Sequence, residues 1–158
     1  MLVAMSGSLT VARAQTYFQA NLDGLQEVPP NASPAFGLGD FTLSGSTFSV
    51  TTGSYQDLLG GATAVTLNDA APGVNGAIIF SLVLDTPGAA TGTFSSSGTL
   101  TGPQITDLNA GNLYVNIRSQ VFPSGEIRGQ IFSVPEPTTL ALAGVGSLIL
   151  LAMRHRKV

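Results

Sequence analysis

The sequence predicts an all-β protein: an antiparallel Ig-like or Greek-key β-sandwich of about seven or eight strands with one short helix, followed by a C-terminal hydrophobic helix. Three observations carry this expectation. Apolar residues recur with period two through the middle of the chain, the spacing of strands that bury one face. Turn residues interrupt them at short intervals, as Pro29-Pro30, Gly60-Gly61, Pro72-Gly73, Asn75-Gly76, Pro87-Gly88, Gly102-Pro103 and Pro123-Ser124-Gly125; each fixes φ or tolerates φ > 0. All eleven aromatic residues fall between Tyr17 and Phe132, where one core would use them.

Taken in order, Phe18, Ala20 and Leu22 alternate with Gln19, Asn21 and Asp23, and Phe48 and Val50 alternate with Ser49 and Thr51. Thr63, Val65 and Leu67 face one way; Ala64, Thr66 and Asn68 face the other. Ile78, Phe80, Leu82 and Leu84 form a longer run whose opposite face also holds Ile79 and Val83, which predicts a central strand covered on both sides. Pro103 to Gly111 reads as the one helix, with Pro103 at its start, Ile105 and Leu108 three apart, and Gly111 as its stop. Leu113, Val115 and Ile117 then alternate with Tyr114, Asn116 and Arg118, and Ile127 and Ile131 with Arg128, Gln130 and Phe132.

Composition excludes several chemistries. The chain of 158 residues has no Cys, and its one histidine, His155, lies in the last four positions. Disulfides, thiolate nucleophiles, zinc knuckles and His-based triads are therefore not expected in the middle segment. That segment has Arg118 and Arg128 as its only cations, no Lys, and eight acidic residues, so nucleic acid is not an expected partner. Asp57, Asp69 and Asp85 sit in or beside loops without Asp-x-Asp spacing, which favours solvated turns over a calcium site. No cofactor, metal or catalytic residue is expected.

Both ends read as addresses. Residues 1–14 form a partial signal peptide: a weak apolar stretch ends in Ala12-Arg13-Ala14 before Gln15, the small-residue cleavage pattern. No basic region precedes it, so the true start is expected upstream. Residues 134–158 contain Val134-Pro135-Glu136-Pro137, the uncharged run Thr138 to Met153, and the basic cluster Arg154-His155-Arg156-Lys157. The run would span roughly 24 Å as a helix, with the cluster held on the cytoplasmic side. This tail resembles the PEP-CTERM sorting signal of Gram-negative bacteria. The resemblance implies a transient inner-membrane anchor, recognition by an exosortase-type processing protease, and release to the cell surface or extracellular matrix. Retention of the tail as a permanent anchor is the alternative.

Residues 15–133 form the remaining domain. Four stretches in it, Phe18-Gln19-Ala20-Asn21-Leu22-Asp23-Gly24-Leu25-Gln26-Glu27-Val28-Pro29-Pro30, Gly73-Val74-Asn75-Gly76, Leu113-Tyr114-Val115-Asn116-Ile117 and Pro123-Ser124-Gly125-Glu126-Ile127-Arg128-Gly129-Gln130-Ile131, together resemble the CHRD domain, named from chordin. Members of that family commonly carry a His-x-His pair before the Gly-Val-Asn-Gly stretch and a further His after Tyr-Val-Asn. Here those places hold Thr66, Asn68 and Arg118, a hydroxyl, an amide and a guanidinium, which make a poor metal site. Arg118, with its fixed fork of donors, would instead tie Thr66, Asn68 and Asp69 together, or else stand exposed.

Glu27 and Arg128 form a candidate structural ion pair between the first and last strands, worth roughly 0 to 1 kcal/mol if exposed. Glu27 and Glu126 as the acid and base of a glycosidase would need a cleft with aromatic platforms, which the sequence does not offer. The expected function is thus a non-catalytic surface or matrix module. Its expected partners are the processing protease, the membrane before processing, and extracellular polysaccharide or matrix proteins. The alternative is a metal-binding protein or metal-dependent enzyme on the same fold.

Overall fold

The computed structural model describes residues 15–135. Ten strands follow one another: β1 (Gln15–Asp23), β2 (Phe36–Ser44), β3 (Thr47–Gln56), β4 (Ala62–Asp69), β5 (Ala77–Leu84), β6 (Gly92–Ser95), β7 (Ser97–Thr99), β8 (Leu113–Ser119), β9 (Ile127–Gln130) and β10 (Phe132–Val134). A 3₁₀ turn (Gly24–Gln26) follows β1, and the one helix, α1 (Gly102–Asn109), precedes β8. All pairings are antiparallel. β7 continues β6 past Ser96, and β10 continues β9 past Ile131, so the ten strands make eight staves.

Their spatial order is β1-β2-β3-β6-β5-β4-β8-β9, and β1 meets β9 at Asp23↔Arg128 and β10 from Tyr17↔Val134 to Gln19↔Phe132. The sheet thus returns to its first strand. This corrects the expected sandwich to a closed antiparallel barrel. Period-two alternation is the same in both architectures. What separates them is whether the first strand is bonded on both sides, which closure favours because it leaves no unpaired edge. The connectivity is Greek key: β4, β5 and β6 form a meander, and β6 lies beside β3.

The inward faces build the core from Phe18, Leu22, Phe41, Phe48, Tyr55, Val65, Leu67, Phe94, Val115, Ile117 and Ile127, all buried. Phe41 stacks on Phe48 at 5.2 Å between centroids, and Phe80 meets Phe48 edge-on at 6.5 Å. Fully burying such a side chain contributes about 1.5–3 kcal/mol. α1 closes part of the barrel with buried Leu108 and half-buried Ile105. Thr101 N–H donates to Gln104 Oε1 at 2.9 Å at its start, and Gly111, at φ +76, ends it in the left-handed region.

β5 departs from expectation. Of its residues only Leu82 is buried, while Ile78 and Val83 are 48% and 58% exposed. Closure turns the outer face of β5 to water, and the apolar run is one-sided. The doubly covered strands are β4, β8 and β9. Their outward residues Thr66, Asn68, Tyr114, Asn116, Arg128 and Gln130 are all buried, beneath the segments around residues 26–31, 70–76 and 122–125. The barrel therefore has an apolar interior and, on one flank, a second layer that is polar.

Candidate functional site

The polar layer is ordered by backbone carbonyls and side-chain donors. Arg128 lies with its guanidinium carbon 3.5 Å from the centre of the Tyr114 ring. It donates through Nη1 to Val74 O at 2.8 Å, and through Nη2 to Ala71 O at 3.2 Å and Gln130 Oε1 at 3.0 Å. Gln130 Nε2 donates to Ala70 O and Gly111 O. The Gly73-Val74-Asn75-Gly76 turn is pinned from both sides: Asn75 Nδ2 donates to Val28 O, Asn68 Nδ2 to Gly76 O, and Gly76 N to the Tyr114 hydroxyl. A Cβ at Gly76 would overlap the Asp69 carbonyl, so the turn closes there only because the residue is glycine.

Beside this framework a cavity of about 270 Å³ opens on the flank, lined by Glu27, Asn68, Tyr114, Asn116 and Arg118 within and by Pro29, Pro30, Asn75, Phe122 and Ser124 around them. Glu27 and Asn116 are each 5% exposed. Asn116 Nδ2 approaches Glu27 Oε2 at 3.5 Å, but Glu27 Oε1, Asn116 Oδ1 and Arg118 Nε are buried with no hydrogen-bond partner. Burial pushes the Glu27 carboxyl up from 4.5 to about 7; the nearby Arg128 guanidinium, the Val28 N–H and Arg118 offset only part of that. Burial also lowers the Arg128 pKa, against the opposing influence of Tyr114 and Glu27. Gly125 forms the adjoining wall. A methyl there would stand 2.5 Å from Glu27 Oε1 and 2.6 Å from Asn116 Nδ2.

The sequence-selected residues distribute unevenly about this site. Thr66 donates to Asn68 Oδ1 at 2.7 Å, and Asn68 and Arg118 line the cavity. The expected tie from Arg118 is not formed: Thr66 and Asn68 bond each other, and Arg118 Nε is buried without a partner. Glu27 and Arg128 are neighbours in charge, yet Arg128 spends its donors on carbonyls and Gln130, so the pair is a through-space interaction inside a buried layer and not an exposed bridge. Glu126 is fully buried, and its Oε1 accepts from Ser33 Oγ at 2.6 Å and Leu59 N at 2.7 Å. Val134 is the last residue of β10, with Pro135 beyond it. Glu136, Pro137, the expected C-terminal helix, Arg154, His155, Arg156 and Lys157, and the leader 1–14, lie outside the described residues.

Sequence reasoning did not single out Asn116 or Gly125, and weighed Glu27 as a strand-linking ion-pair partner or a glycosidase carboxylate and not as a buried carboxyl of a cavity. The available signal was their place in the motifs. Each of the four motif stretches contributes to the cavity: Glu27 from the first, Asn75 and Gly76 from the second, Tyr114 and Asn116 from the third, Ser124 and Gly125 from the fourth. Residues 18–131 match the family profile of the CHRD domain.

The chain belongs to the CHRD domain family.

Residues 133–157 match the PEP-CTERM protein-sorting motif. That motif marks a CHRD protein exported in bacteria for sorting to the cell surface, associated with the membrane before processing by an exosortase-type protease at its C-terminus. No curated protein and no solved structure matches the chain. In this CHRD domain the residues at the cavity do not fit a metal ion. Among the described residues no three His, Cys, Asp or Glu side chains cluster, and a guanidinium stands beside the one lining carboxylate.

Proposed function

We propose that this CHRD protein is a non-catalytic module of the cell surface or extracellular matrix of a Gram-negative bacterium. The C-terminal segment holds it transiently at the inner membrane, and processing there releases it. Once outside, it is retained by a ligand taken into the flank cavity, carried by an extracellular polysaccharide or a matrix protein.

One observation carries this reading: all four motif stretches of the domain meet at one flank cavity, lined by the polar side chains of Glu27, Asn68, Asn75, Tyr114, Asn116 and Arg118. Binding is favoured over hydrolysis because Glu27 is the one carboxylic acid in the lining, and Glu126, its candidate partner, lies outside that lining with Oε1 accepting from Ser33 and Leu59. The test is purification of the mature protein from a producing culture. The expected result is an intact mass lacking the residues beyond the Pro-Glu-Pro motif, recovery with the matrix fraction, and no bound metal. Stoichiometric zinc or copper in that material would overturn the reading.

A further inference from the structure

We propose that Asn75-Gly76 is a covalent modification site that the fold holds unreactive: the closed flank turn preserves Asn75, and opening of the turn lets it convert irreversibly to aspartate or isoaspartate. It is the chain's one Asn-Gly pair. In such a pair the second residue has no Cβ to shield its backbone nitrogen, which can attack the side-chain amide before it. Substitution at the second position offers no escape here, because a Cβ at Gly76 would overlap the Asp69 carbonyl. Asn75 is exposed, so water reaches its side chain.

In the closed turn both reacting groups are held. Gly76 N donates to the Tyr114 hydroxyl at 3.0 Å, and that proton must leave before the nitrogen can attack. Asn75 Nδ2 donates to Val28 O at 2.8 Å. The neighbouring carbonyls are fixed as well, Val74 O by Arg128 Nη1 at 2.8 Å and Gly76 O by Asn68 Nδ2 at 3.2 Å. Attack therefore waits on local opening. Once the turn is open, Gly76 N gives its proton to solvent and bonds to Asn75 Cγ, the Cγ–Nδ2 bond breaks, and Nδ2 leaves as ammonia. Water then adds to one carbonyl of the resulting cyclic imide and cleaves that carbon's bond to nitrogen. Release at Cγ gives aspartate, and release at the main-chain carbonyl gives isoaspartate. Neither restores the tie. A carboxylate has no donor for Val28 O, and isoaspartate lengthens the main chain by a methylene beside a glycine where no Cβ fits. Val28 and Asn75 belong to the first and second motif stretches and both line the cavity, so the reaction unfastens those stretches from each other.

The experiment is incubation of the mature protein in mildly alkaline buffer, folded and in unfolding urea, with peptide mass mapping of residue 75 over time. Conversion is expected at least about tenfold slower in the folded protein than in urea. Tyr114→Phe keeps the ring that stacks on Arg128 and removes only the hydroxyl; it is expected to speed conversion of the folded protein about 5- to 30-fold. Val65→Ala, a cavity in the apolar interior, lowers Tm without touching the turn and should leave the folded rate unchanged. Asn75→Asp, which installs one product directly, should lower Tm by a few degrees. Equal rates in folded and unfolded protein, a rate indifferent to Tyr114→Phe, or equal acceleration by Val65→Ala would overturn the proposal, as would an Asn75→Asp protein with native Tm.

Discussion

Glu27 has lost its water without gaining a full set of donors, and burial raises its pKa accordingly. Its carboxyl binds a proton more tightly folded, near pH 7, than unfolded, near 4.5. Between those values the native state holds more protons than the unfolded chain, so stability falls as pH rises from about 4.5 through 7 and stays reduced above. The full linkage value is discounted for the cavity's access to water, leaving on the order of 2 kcal/mol. Thermal melts of the mature protein should therefore show a Tm that drops between pH 5 and 8, with the drop largely removed in Glu27→Gln. Asp69, raised by burial and by Asp107, adds a component of the same sign, which the comparison with Glu27→Gln subtracts. An unchanged slope in that variant would show that Glu27 is solvated. Arg128 makes the opposite kind of statement: it is buried, stacked on Tyr114 and donates three hydrogen bonds. Arg128→Lys keeps the charge but not the fork that reaches two carbonyls and Gln130. Urea unfolding should show a loss of about 3 kcal/mol for Arg128→Lys, and as much or more for Arg128→Met.

Among the elements, the seams of the barrel are unequal. β4 pairs with β8 from Ala62↔Ser119 to Asp69↔Leu113, whereas β5 meets β6 only at Val83↔Ser95 and Leu84↔Phe94. β4 and β8 are also covered on both faces, and β5 is open to water on one. Local opening follows buried contact density. Hydrogen exchange should thus leave the amides of Val65, Leu67, Val115 and Ile117 protected at least about 100-fold more than those of β5 and β6; comparable protection in the two regions would contradict the described layering. These differences also mark how far the sequence could be read. The alternation of Phe18, Ala20 and Leu22, of Val65 and Leu67, and of Leu113, Val115 and Ile117 gave the inward faces, and Pro103 and Gly111 bracketed the helix. Closure was hidden because it depends on long-range pairing of β1 with β9 and β10, which no local pattern encodes. The same blindness misplaced the covered strand. Ile79 and Val83 look like a second buried face, while Thr66, Asn68, Asn116 and Arg128 look like an exposed one; the loops that cover the latter come from sequence-distant turns. Of the cavity itself, the sequence offered the motif stretches but not their convergence.

For the whole molecule, the two findings divide the chain by task. The CHRD domain provides a closed barrel with a polar cavity at residues drawn from all its motif stretches, and the sorting motif begins at residue 133, inside β10. The matched sorting segment thus begins two residues after the matched domain ends. A protein so sorted has no disulfide to hold it, and its stability there depends on the packed core. The most direct measurement is the fraction of mature protein retained by the culture's own matrix, compared between the native chain and Ser124→Trp at equal secretion and equal Tm. The cavity account predicts that the blocked variant moves into the free medium, with its retained fraction down about tenfold. Equal retention of the two proteins would contradict it.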